Sequence, residues 1–444
     1  MKVIVIGGVA AGMSAASKIK RLDYSSQVTV YERGSDISYG ACGMPYMISG
    51  VIDSPETLVV RKKEDFEKMD INIKLQNEVI AVDEGTKTVT VKDNVTGQVF
   101  ADCYDKLVIT TGASPILPPI KNIGLEGVFV LSSLNDGRIL REKLQDRNIK
   151  NVIIVGAGFI GVELCEAMRE INKEVTLIEF KNQILPNFDK DVVAQLQDEL
   201  KRNYVDVRLS EKVVSFEGSS RVQKVITDKN RYVADCVIMC VGVKPNTDFL
   251  KSTGIELLTN GAIKVDKHMQ TSIKDIYAAG DCSSVYHKVL DDLNRYIPLG
   301  TNANKQGRIA GEVVLGKNSK FDSSLGTSMI KVCDMEGAKT GISEAEAILS
   351  NFDYKAVTIT SLNHAVYYPD SSKITIKLVY DKKTKMILGA QIVGEKDCAI
   401  RIDVFAVAIH TGMTTDEFAM LDFGYSPPFS GVWDAMHIAA NQAK

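Results

Sequence analysis

The chain of 444 residues has eight cysteines but no Cys-x-x-Cys pair. That absence removes a regular disulfide framework and predicts a reducing, cytoplasmic setting. It has no apolar run long enough to span a bilayer as a helix, so no membrane-spanning helix is expected. Neither sign of charge dominates. A net charge of −3 gives no pull towards nucleic acid or an anionic membrane surface. Histidine is scarce, five in all, and none precedes His268. No His/Cys cluster has metal-ligand spacing. Cys236 and Cys240 share one face of an apolar strand, which reads as core rather than metal site. The apolar start "MKVIVIGG" lacks a cleavage-type site and runs into a glycine turn, so a buried strand is expected, not a signal peptide.

Two segments carry the same pattern. "KVIVIGGVAAGMSAASKIKRL" reads as strand, glycine turn and helix, and "VTVYER" ends the next strand at Glu32, 20 residues past Gly12. The glycine fingerprint falls on Gly7, Val9 and Gly12, with valine at the middle place. "NVIIVGAGFIGVELCEAMREINKEVTLIEF" has the full spacing at Gly156, Gly158 and Gly161, with Glu179 closing the following strand. In such a βαβ unit the pyrophosphate rests on the helix N-terminus and the acidic residue meets the ribose. Glu179 would repel a 2′-phosphate, so NADH is favoured over NADPH. Two further strand ends follow: "YDKLVITTGASP" with Thr111 and Gly112, and "TSIKDIYAAGDC" with Gly280 and Asp281. "PLGTNANKQGRIAG" offers a helix start at Thr301, Asn302 and Ala303.

Cys42 stands in "ISYGACGMPY", 61 positions before the next cysteine, Cys103. Three fates are open to such a cysteine: core filler, a mixed disulfide with a small thiol, or a stabilised sulfenic acid. Turn residues from Gly40 to Pro45 argue against filler. A thiolate there would need a helix start or a positive charge to lower its pKa, and a helix is expected after Pro45. Cys103, beside the "YDKLVI" strand, is expected to be buried.

The two dinucleotide motifs, the Thr-Thr-Gly and Ala-Ala-Gly-Asp strand ends and the C-terminal segment together resemble the pyridine nucleotide–disulfide oxidoreductase superfamily, over the whole chain. The resemblance implies an α/β fold. Two Rossmann-like domains bind FAD (1–112 and 247–322) and NAD(P)H (113–246), and an α+β dimerisation domain covers 323–444. The FAD residues it implies are Gly7, Gly8, Ala10, Ala11, Gly12, Glu32, Arg33, Val79, Thr111, Gly112, Ala113, Gly280, Asp281, Thr301, Asn302 and Ala303. Those for NAD(P)H are Gly156, Gly158, Phe159, Ile160, Gly161, Glu163, Glu179 and Gly242.

Two-cysteine members of that superfamily carry a C-x-x-x-x-C pair. Here the fifth position after Cys42 is Met47. Oxidase and peroxidase members place a histidine where this chain has Ala10, which weakens oxygen chemistry. Glutathione reductase-like members end with a His-Pro pair, where Gly412 and Met413 stand; His410 is expected in the core or an interface. "GGVAAGMSAA", "SYGACGMPY", "HAVYYPDSS" and "GYSPPFSGVWD" resemble the coenzyme A disulfide reductases. That likeness implies a homodimer and a Cys42–S–S–CoA mixed disulfide. Tyr367 and Tyr425, with Tyr368 as substitute for the first, would come from the partner subunit to protonate the leaving thiolate. It also implies CoA contacts at Ser14, Lys18, Arg21, Ser38, Ala41 and Arg61. The first three share one helix face at i, i+4 and i+7, and position 41 is often Asn in the family. The same cysteine chemistry suits a persulfide or polysulfide reductase that uses CoA, and, less well, an NADH oxidase. A redox-sensing flavoprotein without turnover is the reading outside enzymes.

Overall fold

A computed structural model describes residues 1–444. Its first sheet is parallel, in the spatial order Ile276–Ala278, Lys106–Ile109, Lys2–Ile6, Gln27–Tyr31, Ile71–Lys74. "VIVI" is buried on both faces, as an unbroken β-branched run demands in a sheet covered by helices. The second parallel sheet repeats the plan: Val205–Arg208, Glu174–Ile178, Asn151–Val155, Cys236–Met239, Val128–Val130. Two chain crossings join these units as a short antiparallel ribbon, Ala113–Pro115 against Val243–Pro245. A third, antiparallel sheet (Ser328–Val332, Met335–Gly341, Ile387–Gly394, Lys373–Asp381, Tyr354–Leu362) is packed by the helices Ile402–Thr411 and Ala435–Gln442. This is the α/β architecture the sequence led us to expect. No helix is long and apolar enough to cross a membrane.

Small residues set the closest helix contact. The helices Ala10–Leu22 and Gly300–Val313 meet where a Cβ on Gly307 would lie 2.2 Å from the Ala11 carbonyl oxygen. Backbone therefore packs on backbone, and the N-termini of both helices open on one cavity of about 2600 Å³ between the three units.

Candidate functional site

The two glycine turns are built alike. Gly7 and Gly156 both have φ +103°, where any side chain is strained. Gly12 and Gly161 sit at the first helical turns. A Cβ there would fall 1.8 Å from the Gly7 oxygen and 2.0 Å from the Gly156 oxygen. Only glycine allows that approach, which draws the helix start, with its unpaired N–H groups, onto the cavity. The middle position is different. Val9 has φ −103°, and a Cβ at Gly158 would meet nothing within 4 Å. Valine fits the backbone there, so the departure in the first motif carries no strain.

Both acidic residues brace their own turn. Glu32 accepts from the Gly8 and Gly34 N–H groups, each at 2.7 Å. Glu179 accepts from the Ala157 N–H at 2.7 Å and the Lys181 N–H at 2.9 Å. Each carboxylate keeps spare lone pairs on the cavity wall.

Around the first turn the wall comprises Gly7, Ala10, Ala11, Glu32, Arg33, Val79, Thr111, Gly112, Ala113, Gly280, Asp281, Thr301 and Ala303. Gly8 and Gly12 lie behind it. Asn302 departs from the expectation: it is buried and its amide donates to the Ile297 oxygen at 3.1 Å. Asn304 takes the wall position instead. Asp281 Oδ1 is buried without a hydrogen-bond partner, and burial pushes its carboxyl up. An unmet acceptor at a strand end, beside a helix start, fits a polyhydroxylated chain and its diphosphate, as FAD has.

The second half of the wall holds Gly156, Gly158, Phe159, Ile160, Glu163, Glu179 and Gly242, with Gly161 beneath. The Phe159 ring is 6.3 Å from Phe188, tilted by 50°. Glu163 is pushed up to about 7 by burial and by the neighbouring Glu166.

Cys42 lies in the 3₁₀ turn Ala41–Gly43, which passes directly into the helix Met44–Ser49. The helix thus starts before Pro45, not after it, because proline is welcome in a first turn. The turn is pinned from below: the Gly40 N–H donates to the Leu58 oxygen at 2.8 Å, and Gly43 sits where a Cβ would strike the Leu58 side chain at 2.3 Å. Cys42 is exposed to the cavity. Its thiol is not lowered but raised, by the protein packed around it and then by the carboxylates of Glu163 and Asp281. No cation stands among those causes, so the positive charge that a thiolate would need is not supplied there. Cys240, also on the wall, is tucked under the second glycine turn.

Ser14, Lys18, Arg21, Ser38, Ala41 and Arg61 all line the cavity. Their charges are not equally free. Lys18 pairs with Glu312 at 2.6 Å, and Arg61 stacks on Phe66 at 4.3 Å. Lys305 and Arg308, on the facing helix, line the same wall. The sequence reading missed them, although their i, i+3 spacing in "NKQGR" places them on one face. Ser14 Oγ bonds Asn304 Oδ1 at 2.8 Å and links the two helices there.

Tyr367, Tyr368 and Tyr425 are not on this wall. They lie on the outer face of the third unit, where Tyr367 and Tyr425 share a hydrogen bond of 2.5 Å and Tyr368 packs edge-on to His364. One expectation fails and another is narrowed. Cys103 is exposed, at the end of the edge strand Val99–Cys103, whose residues alternate outward. His410 is exposed on this chain and 3.9 Å from Asp322, near the end of its helix before the left-handed Gly412, so of the two expected places the core is ruled out. Cys236 is fully buried in the second sheet.

The chain matches the family model "pyridine nucleotide-disulphide oxidoreductase" over residues 1–307 and that family's dimerisation domain over 327–437. It is 38% identical to an NAD(P)H coenzyme A polysulfide/persulfide reductase of Pyrococcus horikoshii (100% of this chain, 98% of the other). It is 35% identical to an NADH oxidase of Enterococcus faecalis (100% and 99%). It is 32% identical to a coenzyme A disulfide reductase of Staphylococcus aureus (100% of both). A crystal structure of reduced Bacillus anthracis CoADR-RHD superposes with a TM-score of 0.96 at 33% identity, covering 100% of this chain and 80% of that one. With its two glycine turns, its unmet Asp281 and these matches, the chain belongs to the pyridine nucleotide–disulphide oxidoreductase family and is a flavin-dependent NAD(P)H oxidoreductase.

Proposed function

We propose that the protein uses NADH to reduce coenzyme A disulfide to two CoA through a Cys42–S–S–CoA mixed disulfide. The observation that carries this reading is Cys42 itself: a cysteine exposed on the cavity wall, with Lys305, Arg308 and Arg21 on the same wall to meet phosphates. FAD would be held by the first glycine turn, Glu32 and Asp281, and when reduced supplies the electron pair. NADH would lie along the second turn and Glu179.

The raised Cys42 thiol has a direct consequence. A neutral thiol is a poor nucleophile, so the attacking thiolate has to arise without a base. Cleavage of the mixed disulfide provides it. Two electrons break the S–S bond, one sulfur leaves as CoA thiolate, and Cys42 remains as thiolate. A tyrosine hydroxyl protonates the departing CoA. Cys42 thiolate then attacks CoA disulfide, restoring the mixed disulfide and releasing the second CoA thiolate, which takes a solvent proton. The sum is NADH, one proton and CoA disulfide giving NAD⁺ and two CoA.

The tyrosines reach Cys42 across a homodimer, each pair serving the other subunit. Support comes from their place outside the chain's own cavity, among exposed Val366, Phe429, Val432 and Trp433. Such an apolar face suits a partner subunit. The domains divide at 112/113, 246/247 and 322/323, and the setting is cytoplasmic.

A persulfide or polysulfide substrate is the second reading, favoured by Ala41, which leaves the cysteine without an amide neighbour, and by the name of the Pyrococcus relative. Ala10 on the wall supplies no histidine for an oxidase. Anaerobic NADH oxidation with CoA disulfide, set against polysulfide and aerobic buffer, separates the three. Fastest turnover with CoA disulfide is expected; faster turnover with polysulfide would replace the first reading by the second.

A further inference from the structure

The tyrosine pair is set by loops that differ in origin. Tyr367 belongs to the turn between the strands Tyr354–Leu362 and Lys373–Asp381, and Tyr425 to the segment before the last helix. Neither loop has regular structure to hold a phenol in place. One buried side chain touches the base of both. Arg401, 9% exposed, donates through Nη2 to the Asn363 oxygen at 2.9 Å and to the Phe429 oxygen at 2.8 Å. Its Nη1 donates to the Asp397 oxygen at 2.5 Å and its Nε to Asp434 Oδ2 at 3.1 Å.

We propose that Arg401 is the positioning residue for the Tyr367–Tyr425 pair. Asn363 closes the first loop: its Oδ1 accepts from the Ser372 N–H at 2.8 Å. Phe429 belongs to a tight turn whose N–H returns to the Ser426 oxygen, beside Tyr425. One guanidinium therefore fixes the separation of the two loop bases. Asp434, 6% exposed, orients that guanidinium with one oxygen and caps the last helix with the other, accepting from the Met436 N–H at 2.9 Å. Lysine keeps the charge, but its three donors on one nitrogen cannot replace the spread fork that serves four acceptors. Truncation would take this donor from the buried Asn363 carbonyl and from the part-buried Phe429 carbonyl. The inference rests on the proposed role of the tyrosines for its catalytic meaning, but not for its geometry.

The test reads the geometry directly. Fluorotyrosine is placed at position 425 in the flavin-loaded protein, and its fluorine resonance is titrated. Tyr367→Phe should move the midpoint, because the two phenols share one hydrogen bond. In Arg401→Lys the same Tyr367→Phe change should move the midpoint by less than half as much. An undiminished shift would overturn the proposal. Should Arg401→Lys fail to retain flavin, Asp434→Asn carries the same comparison, since asparagine keeps the helix cap. Turnover separates the two ideas. If Tyr367→Phe and Tyr425→Phe reduce CoA disulfide at the normal rate, the catalytic reading of the pair falls, while the titration still decides Arg401.

Discussion

The hydroxyls of Tyr367 and Tyr425 lie 2.5 Å apart although the residues are 58 positions apart in sequence. Two phenols sharing one hydrogen bond can pass a proton between them, so in the proposed cycle they act as a unit. Replacing either by phenylalanine should lower disulfide turnover by roughly 10²-fold, the usual worth of a general acid. The double variant should lose little more, because residues acting as a unit are not additive. Steady-state rates of the two single variants and the double variant with CoA disulfide check this.

Cys42→Ser should bind flavin and accept electrons from NADH as the parent does, while losing disulfide turnover on the order of a thousandfold or more. The serine sits on the same turn, pinned at Gly40 and Gly43, so the fold has no reason to change. Stopped-flow bleaching of the flavin by NADH, beside turnover with CoA disulfide, separates the two half-reactions.

Glu163 ties stability to pH. Its carboxyl is pushed up to about 7 in the fold, first by burial and then by Glu166. A raised acid is most stabilising below the unfolded-state value near 4.5, and that contribution is lost as pH rises through 7. The shift bounds the loss at about 3 kcal/mol. Glu163→Gln should therefore gain on the parent between pH 5 and pH 8. Melting temperatures of both proteins at those two values test the sign: the difference, variant minus parent, should increase.

Glu179 should set the coenzyme. It is 5% exposed, and two backbone N–H groups fix it at the strand end, so it has little freedom to turn from a 2′-phosphate. We expect NADH to be preferred over NADPH by about tenfold or more in kcat/KM, and Glu179→Ser to narrow the gap. Lys181 and Lys212, on the same wall, would then favour the phosphate.

The parallel sheets and glycine turns were legible because their requirements are local. A buried β-branched run, a positive φ at Gly7 and a close approach at Gly12 all sit within a dozen residues. Cys42 was legible for the same reason: turn residues flank it. What sequence could not give was charge environment and distance. Lys18 has a partner 294 positions later in Glu312, and Cys42 is raised by Glu163 and Asp281, from two other parts of the chain. Cys103 looked apolar beside a core strand, yet it ends an edge strand and points outward. Arg401 gave no signal, because its four acceptors come from separate segments and three are backbone oxygens.

The most direct test is the intact mass of the protein after exposure to CoA disulfide, followed by anaerobic addition of NADH. The account predicts a gain of one CoA moiety per chain, located on Cys42, absent in Cys42→Ser and removed by NADH. A chain that never carries the adduct yet still reduces CoA disulfide would contradict it.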